Sequence, residues 1–278
     1  ARFRVNAFHE RGKLAAAFRL IPNQIKNIND LYAALADRIA FFDKNGCRAS
    51  DHGLDHTVYE PATEEELNAI MQKGFEGKAV TAQEADQLKT AVLLFVAKEY
   101  AKLGWVMQLH FSCVRNTNSN MFAKLGADTG FDGIAVTDSS ANLHKFMDKL
   151  NTAGQLPKTI IYSLNPADDQ WIDTLLGCHQ SDEIPGKVQH GSAWWFNDHK
   201  QGMRDQLINL ANLGLLGNFV GMLTDSRSFS SYCRFDFFRR ILADVVGEWV
   251  ENGEYAMEHA EKLMYDVCYG NVKEFLGV

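Results

Sequence analysis

The chain has 278 residues, 46% hydrophobic and 23% charged, with a formal net charge of -7. That length can bury one large α/β core or two small ones. The acidic balance argues against a general nucleic-acid binder, which needs a basic face to displace phosphate counterions. It leaves an anionic small substrate open, because one or two local arginines hold a carboxylate whatever the total charge. Five scattered cysteines with no CxxC pair favour a reducing compartment over a disulfide framework. No apolar stretch approaches the roughly 20 residues that span a bilayer. No targeting pattern is visible, so neither a membrane nor a nucleic-acid partner is expected, and the cytoplasm is the expected location. The first residue is not Met, so a start further upstream is expected.

In chain order, Asn29–Asn45 is predicted to be a helix with Leu31, Leu35, Ile39 and Phe42 on one face and Gly46 as its stop. Thr63 opens a capping-box helix that reaches about Gly74, and Thr81 opens a longer one that ends at Gly104. Cys47–Ser50 is a short strand candidate between helices. Four further strands are expected at Trp105–Leu109, Thr159–Leu164, Lys187–His190 and Phe219–Leu223. Helices are expected near Ala141–Leu150, Ala167–Leu176 and Asp198–Leu215, and Tyr232–Val250 and Tyr255–Leu276 should close the chain. Strands alternating with helices predict an α/β fold with a parallel sheet of about five βα units, and nothing marks a second domain.

All but one of these strands end in residues able to do polar chemistry. Cys47–Ser50 runs into Asp51, His52 and Gly53; Trp105–Leu109 into His110, with Arg115 close behind. Lys187–His190 leads to Gly191 and Trp194-Trp195, and Phe219–Leu223 to Asp225 and Arg227. Only Asn165-Pro166 follows Thr159–Leu164. Each residue alone has a plainer role: His110 as a core histidine, Asp225 as a helix cap, the arginines as solvated charges, the tryptophans as packing. His52, His56 and His190 are expected to be structural or supporting. In a parallel barrel, however, all strand C-termini face one mouth, which would hold an imidazole, two carboxylates, two guanidiniums and an aromatic wall. Such a set suits a sugar acid: guanidinium for its carboxylate, indole for its apolar face, carboxylate and imidazole for moving protons. His-x-His and the usual phosphate-loop signatures are absent.

The strings GCRASDHG (46–53), GWVMQLHFS (104–112), RNTNSNMFAKLGADTGFD (115–132), KTIIYSLNP (158–166), GKVQHGSAWWFND (186–198) and FVGMLTDSRSFSSYCRFDFFRRIL (219–242) resemble consecutive blocks of the uronate isomerases, in the amidohydrolase superfamily. The resemblance begins near Lys26, and residues 1 to about 25 match only in length and helical character. It implies a (β/α)₈ TIM barrel of the metal-dependent hydrolase type, of which 1–278 would be the C-terminal part of a single domain with about strands four to eight. It also implies isomerisation of D-glucuronate to D-fructuronate and of D-galacturonate to D-tagaturonate, in a homo-oligomer when complete. On this reading Asp225 is a metal ligand and acid/base residue. His110 and Asp51 are catalytic, Arg227 lies near the substrate, and Arg115 and Trp194 line the pocket.

Members of the family carry a His-x-His strand, a tyrosine soon after it and an FRPD-like arginine block, none of which is in this chain. One zinc-like divalent metal is therefore expected in the complete enzyme and no tightly bound metal on this chain alone. An amidohydrolase-type hydrolase on the same barrel and an inactive truncated remnant are the competing functions.

Overall fold

The computed structural model describes residues 2–10, 13–21, 25–226 and 228–278, with side chains from residue 25 on. The chain divides into two compact units, Ala1–Lys44 with Glu60–Val96 and Asn45–Tyr59 with Ala97–Val278.

In the first unit β1 (Arg2–Glu10) and β2 (Lys13–Ile21) pair antiparallel, from Arg2 opposite Ile21 to Glu10 opposite Lys13. This replaces the helical character expected there. Phe3, Val5 and Ala7 alternate with Arg2, Arg4 and Asn6, which is the period of a strand. Helix α1 (Ile28–Lys44) packs with α2 (Glu64–Phe75) and the first turns of α3 (Ala82–Leu103) around Ile28, Leu67 and Met71. Both threonine caps form as the spacing requires. Thr63 Oγ1 accepts from the Glu66 N–H while Glu66 accepts from the Thr63 N–H, and Thr81 and Glu84 repeat the exchange.

The second unit is built on a four-stranded parallel sheet: β3 (Ala49–Gly53), β4 (Val106–Phe111), β7 (Lys158–Ser163) and β8 (Val188–His190), in that spatial order. Between β4 and β7 lie a two-residue antiparallel ladder, β5 (Cys113–Val114) with β6 (Gly133–Ile134), and the short α4 (Ser119–Leu125), none of them expected from periodicity. Helices α5 (Ser140–Thr152), α6 (Asp169–Cys178) and α7 (Lys200–Leu213) alternate with the later strands. α8 (Cys233–Glu251) follows. The single closing helix expected at Tyr255–Leu276 is divided into α9 (Met257–Tyr265), a π turn (Asp266–Gly270) and α10 (Asn271–Leu276). No described helix is long and apolar enough to cross a membrane.

Two of the expected strands depart from the sequence reading by more than the one or two residues seen at β4, β7 and β8. β3 lies two to three residues later than Cys47–Ser50, so Asp51 and Gly53 belong to the strand itself. Phe219–Leu223 forms no ladder. Gly221 has φ +80°, and a Cβ there would lie 2.5 Å from the Val267 carbonyl oxygen, so the segment turns where a strand would continue. Side chains hold it instead. Gln189 accepts from the Val220 N–H and donates to the Asn218 carbonyl, and Asn271 donates to the carbonyls of Gly217 and Phe219.

Alternation along the strands makes two faces. On one, Ala49, Val106, Ile160, Tyr162, Leu164, Trp194, Val220 and Phe275 form an apolar core. On the other, β7 and its following turn meet α6. There the buried carboxylate of Asp168 accepts from Ser112 Oγ (3.1 Å), Ser163 Oγ (2.5 Å), Asn165 Nδ2 (3.3 Å) and Trp171 Nε1 (3.0 Å). One side chain thus ties the ends of β4 and β7 to the start of α6. Replacing it leaves several buried donors unpaired, which costs several kcal/mol. Asp168→Ala is therefore expected to lose about 3 kcal/mol or more of stability in urea denaturation. A change below about 1 kcal/mol would show that water replaces the carboxylate at little cost.

Candidate active site

The C-terminal ends of β3 and β4 bring Asp51 and His110 together, with His110 Nδ1 3.0 Å from Asp51 Oδ1. The register explains the contact. Asp51 pairs with Gln108 and Gly53 with His110, so the carboxylate sits one step down the neighbouring strand on the same face as the imidazole. With Nδ1 engaged by a carboxylate, Nε2 is the ring nitrogen left to take or give a proton. Gly53 is required opposite His110, because a Cβ there would lie 2.7 Å from Nε2.

On the next strand Tyr162 pairs with His110 and donates its hydroxyl to Gln108 Oε1 at 2.7 Å. Burial pushes the Tyr162 phenol far above its ordinary pKa, and the charges of Asp51 and Asp225 add to the effect, so it stays a neutral donor. Gly191, directly after β8, leaves room for this ring: a Cβ there would sit 1.9 Å from it. Trp194 packs edge-on against both His110 (5.8 Å between ring centres) and Tyr162 (5.6 Å), and its indole N–H donates to Asp225 Oδ2 at 3.3 Å. Asp51, His110, Trp194 and Asp225 therefore stand at one mouth. Asp51 and Asp225 are exposed and His110 is half-buried there.

Arg115 is already engaged by other side chains. It pairs with Asp132 at 3.1 Å, lies 3.7 Å from Asp128, and stacks over the exposed Trp195 ring at 4.9 Å. Arg227 lies outside the described residues. Among the described residues no three His, Cys, Asp or Glu side chains converge as metal ligands, so these residues do not gather a full ligand set around Asp225. Gln108 and Tyr162 were missed in the sequence. The period of two that places His110 inward also places them inward, and that signal was available.

Of the other histidines, His52 and His190 lie by register on the opposite face of the sheet. His52 Nε2 lies 3.2 Å from the Tyr100 hydroxyl; burial lowers its pKa, Asp51 partly restores it and His110 lowers it further. His56 is half-buried. His190 is buried against α6, with Nδ1 2.7 Å from Asp173 and Nε2 3.7 Å from Asp169.

The glucuronate isomerase family model matches residues 13–276. The chain belongs to that family. It is 52% identical over 256 residues to a uronate isomerase of Lachnoclostridium phytofermentans, across 91% of this chain and 55% of that protein. It is 46% identical over 255 residues to one of Vibrio vulnificus, across 91% and 54%. The crystal structure of Thermotoga maritima uronate isomerase aligns with TM-score 0.83 at 32% identity, across 90% of this chain and 54% of the other. Glucuronate isomerase of Caulobacter crescentus shares the fold at TM-score 0.83 and 24% identity, across 91% and 52%. The chain thus spans about half the length of the family members it matches.

Burial raises the Asp169 carboxyl to a pKa of about 6; His190 opposes the shift, while Asp173, Asp168 and Asp205 add to it. The folded chain therefore holds this proton more tightly than the unfolded one. The resulting stability is full below about pH 4 and is lost as pH rises through about 6. Relative to Asp169→Asn, the native protein is expected to lose about 2 kcal/mol between pH 4 and 7. Urea denaturation across that range gives the measurement, and parallel pH profiles for the two proteins would contradict it.

Proposed function

We propose that the protein to which this chain belongs is a uronate isomerase acting on D-glucuronate and D-galacturonate, with this chain supplying one wall of the active site. The observation that carries this reading is the Asp51–His110 pair on one face of a parallel sheet, with Trp194 touching both His110 and Asp225. Family membership supports it. So does the strand order β3-β4-β7-β8, which never reverses as a doubly wound sheet does, and which suits part of a single-domain (β/α)₈ barrel.

Aldose and ketose differ by one hydrogen moved from C2 to C1 and another moved from O2 to O1. A base takes the C2 proton, the electron pair forms the C1=C2 bond of an enediol, and the aldehyde oxygen gains a proton. The O2 hydroxyl then gives up its proton as the C2 carbonyl forms, and a proton is delivered to C1. No oxidant or reductant is needed. His110, poised by Asp51, and Asp225 are the groups on this chain suited to carry these protons. Arg227 provides a guanidinium group for the substrate carboxylate; Arg115 could do so only on release from Asp132, and Trp194, buried against His110, borders the site without offering it a face. Asp225 alone does not make a metal site, so a divalent ion in the complete enzyme, for which Asp225 would be one ligand, needs further ligands from outside the described residues. A cytoplasmic homo-oligomer is the corresponding assembly.

The test is D-glucuronate isomerisation by purified 1–278, alone and with a polypeptide carrying the remaining barrel strands and their His-x-His segment. The lone chain is expected to be inactive and the mixture active. Asp225→Asn is expected to lower kcat on the order of 100-fold or more, because the amide neither takes a proton nor carries charge. Turnover by the lone chain would show that this wall suffices. Near-normal turnover of the Asp225→Asn assembly would remove Asp225 from the reaction.

A further inference from the structure

Successive indoles at the mouth have opposite fates. Trp194 is 4% exposed and Trp195 39%, with the backbone turned between them by φ +53° at Trp195. The outer indole carries Arg115 on its face. The inner one presents no free face to a ligand. Its ring is clamped within the core that includes Val106, Ile160, Tyr162 and Leu164, with His110 and Tyr162 meeting it at interplanar angles of 72°.

Asp225 needs an anchor from outside its own segment. It lies on an exposed stretch without a ladder, and its φ of +46° is a left-handed conformation that side-chain-bearing residues seldom adopt. The segment is held by the Leu223 N–H to Ser192 Oγ at 3.4 Å and by the Trp194 N–H to Asp225 Oδ2 at 3.3 Å. The same rigid indole that reaches Asp225 also borders His110. Gly191 lets the Tyr162 ring fill the space behind it, so the indole has no room to withdraw.

Resting on the isomerase reading, we propose that Trp194 is a positioning residue that fixes the Asp225 carboxylate relative to His110 through its indole N–H, and is not a stacking surface for the sugar. A stacking residue contributes to binding substrate and transition state alike. A residue that sets the geometry between two proton-carrying groups acts on the chemical step.

Two measurements test this. Indole N–H exchange in the 278-residue chain, with its five tryptophans resolved by NMR, needs no activity. The Trp194 proton is expected to exchange more slowly than that of Trp195, and to speed up at least about tenfold in Asp225→Ala, since the loss of its acceptor frees it. The Trp105, Trp171 and Trp249 signals should remain unchanged. Equal Trp194 rates in the native and Asp225→Ala chains would overturn the proposal, because burial alone would then explain its protection.

In the assembly that turns over D-glucuronate, Trp194→Phe keeps a ring and removes the N–H. It is expected to lower kcat on the order of 100-fold with KM little changed. Unchanged kcat with a raised KM would mark Trp194 as a binding wall and sink the proposal. Should the native assembly fail to isomerise D-glucuronate, the function reading falls and the exchange result decides the role of Trp194 by itself.

Discussion

Across the four parallel strands, one row of residues reads Gly53, His110, Tyr162 and Gly191, and the site depends on that row. Two bulky rings lie side by side on neighbouring strands, and a glycine on each flank supplies the space they occupy. A methyl group on either glycine would sit inside van der Waals contact of a ring, at 2.7 Å on one side and 1.9 Å on the other. The row below, with Asp51 and Gln108 in register, contributes the carboxylate for the imidazole and the acceptor for the phenol. Strand register is therefore the source of the Asp51–His110 pair. A slip of one residue would turn every one of these side chains to the opposite face.

The row is held from both sides by different physics. On the core side it is packing: Trp194 lies against both rings among buried aliphatic groups, and close-packed interiors yield little to displacement. On the helix side it is polar satisfaction. Asp168 gathers four donors where β4 and β7 end, and His190 sits between the carboxylates of α6. Removing one partner from either set would leave buried groups unpaired, which is costly. Their position beneath the strand ends keeps the mouth from adjusting freely.

Much of this was legible from residue order. Helices opened by Thr63 and Thr81 have local causes, a side-chain cap and its reciprocal partner three residues on, and they formed where the spacing put them. The strands β4, β7 and β8 are short apolar runs and lie within a residue or two of their expected bounds. Phe219–Leu223 is equally apolar, yet it pairs with nothing in the sheet, because a backbone conformation at Gly221 and a carbonyl from the C-terminal helices intervene. Neither is a property of the segment itself.

For the site, the chemical types and their rough placement at strand ends were evident in the sequence: Asp51, His110, Trp194 and Asp225 each follow or end an apolar run. Family membership, too, rests on residue order alone, through blocks such as WWFND and TDSRSF. What only the tertiary structure decided is which of these groups touch. Trp194 and Trp195 are indistinguishable as letters, but one is buried with its N–H on Asp225 and the other lies exposed beneath Arg115. Arg115, a free guanidinium on paper, is engaged by Asp132. Asp168, which looks like an ordinary helix-start acid, holds two strand ends. Propensity and spacing act over a few residues. Partners 17, 31 or 56 positions apart meet only when strand register and helix packing bring them together.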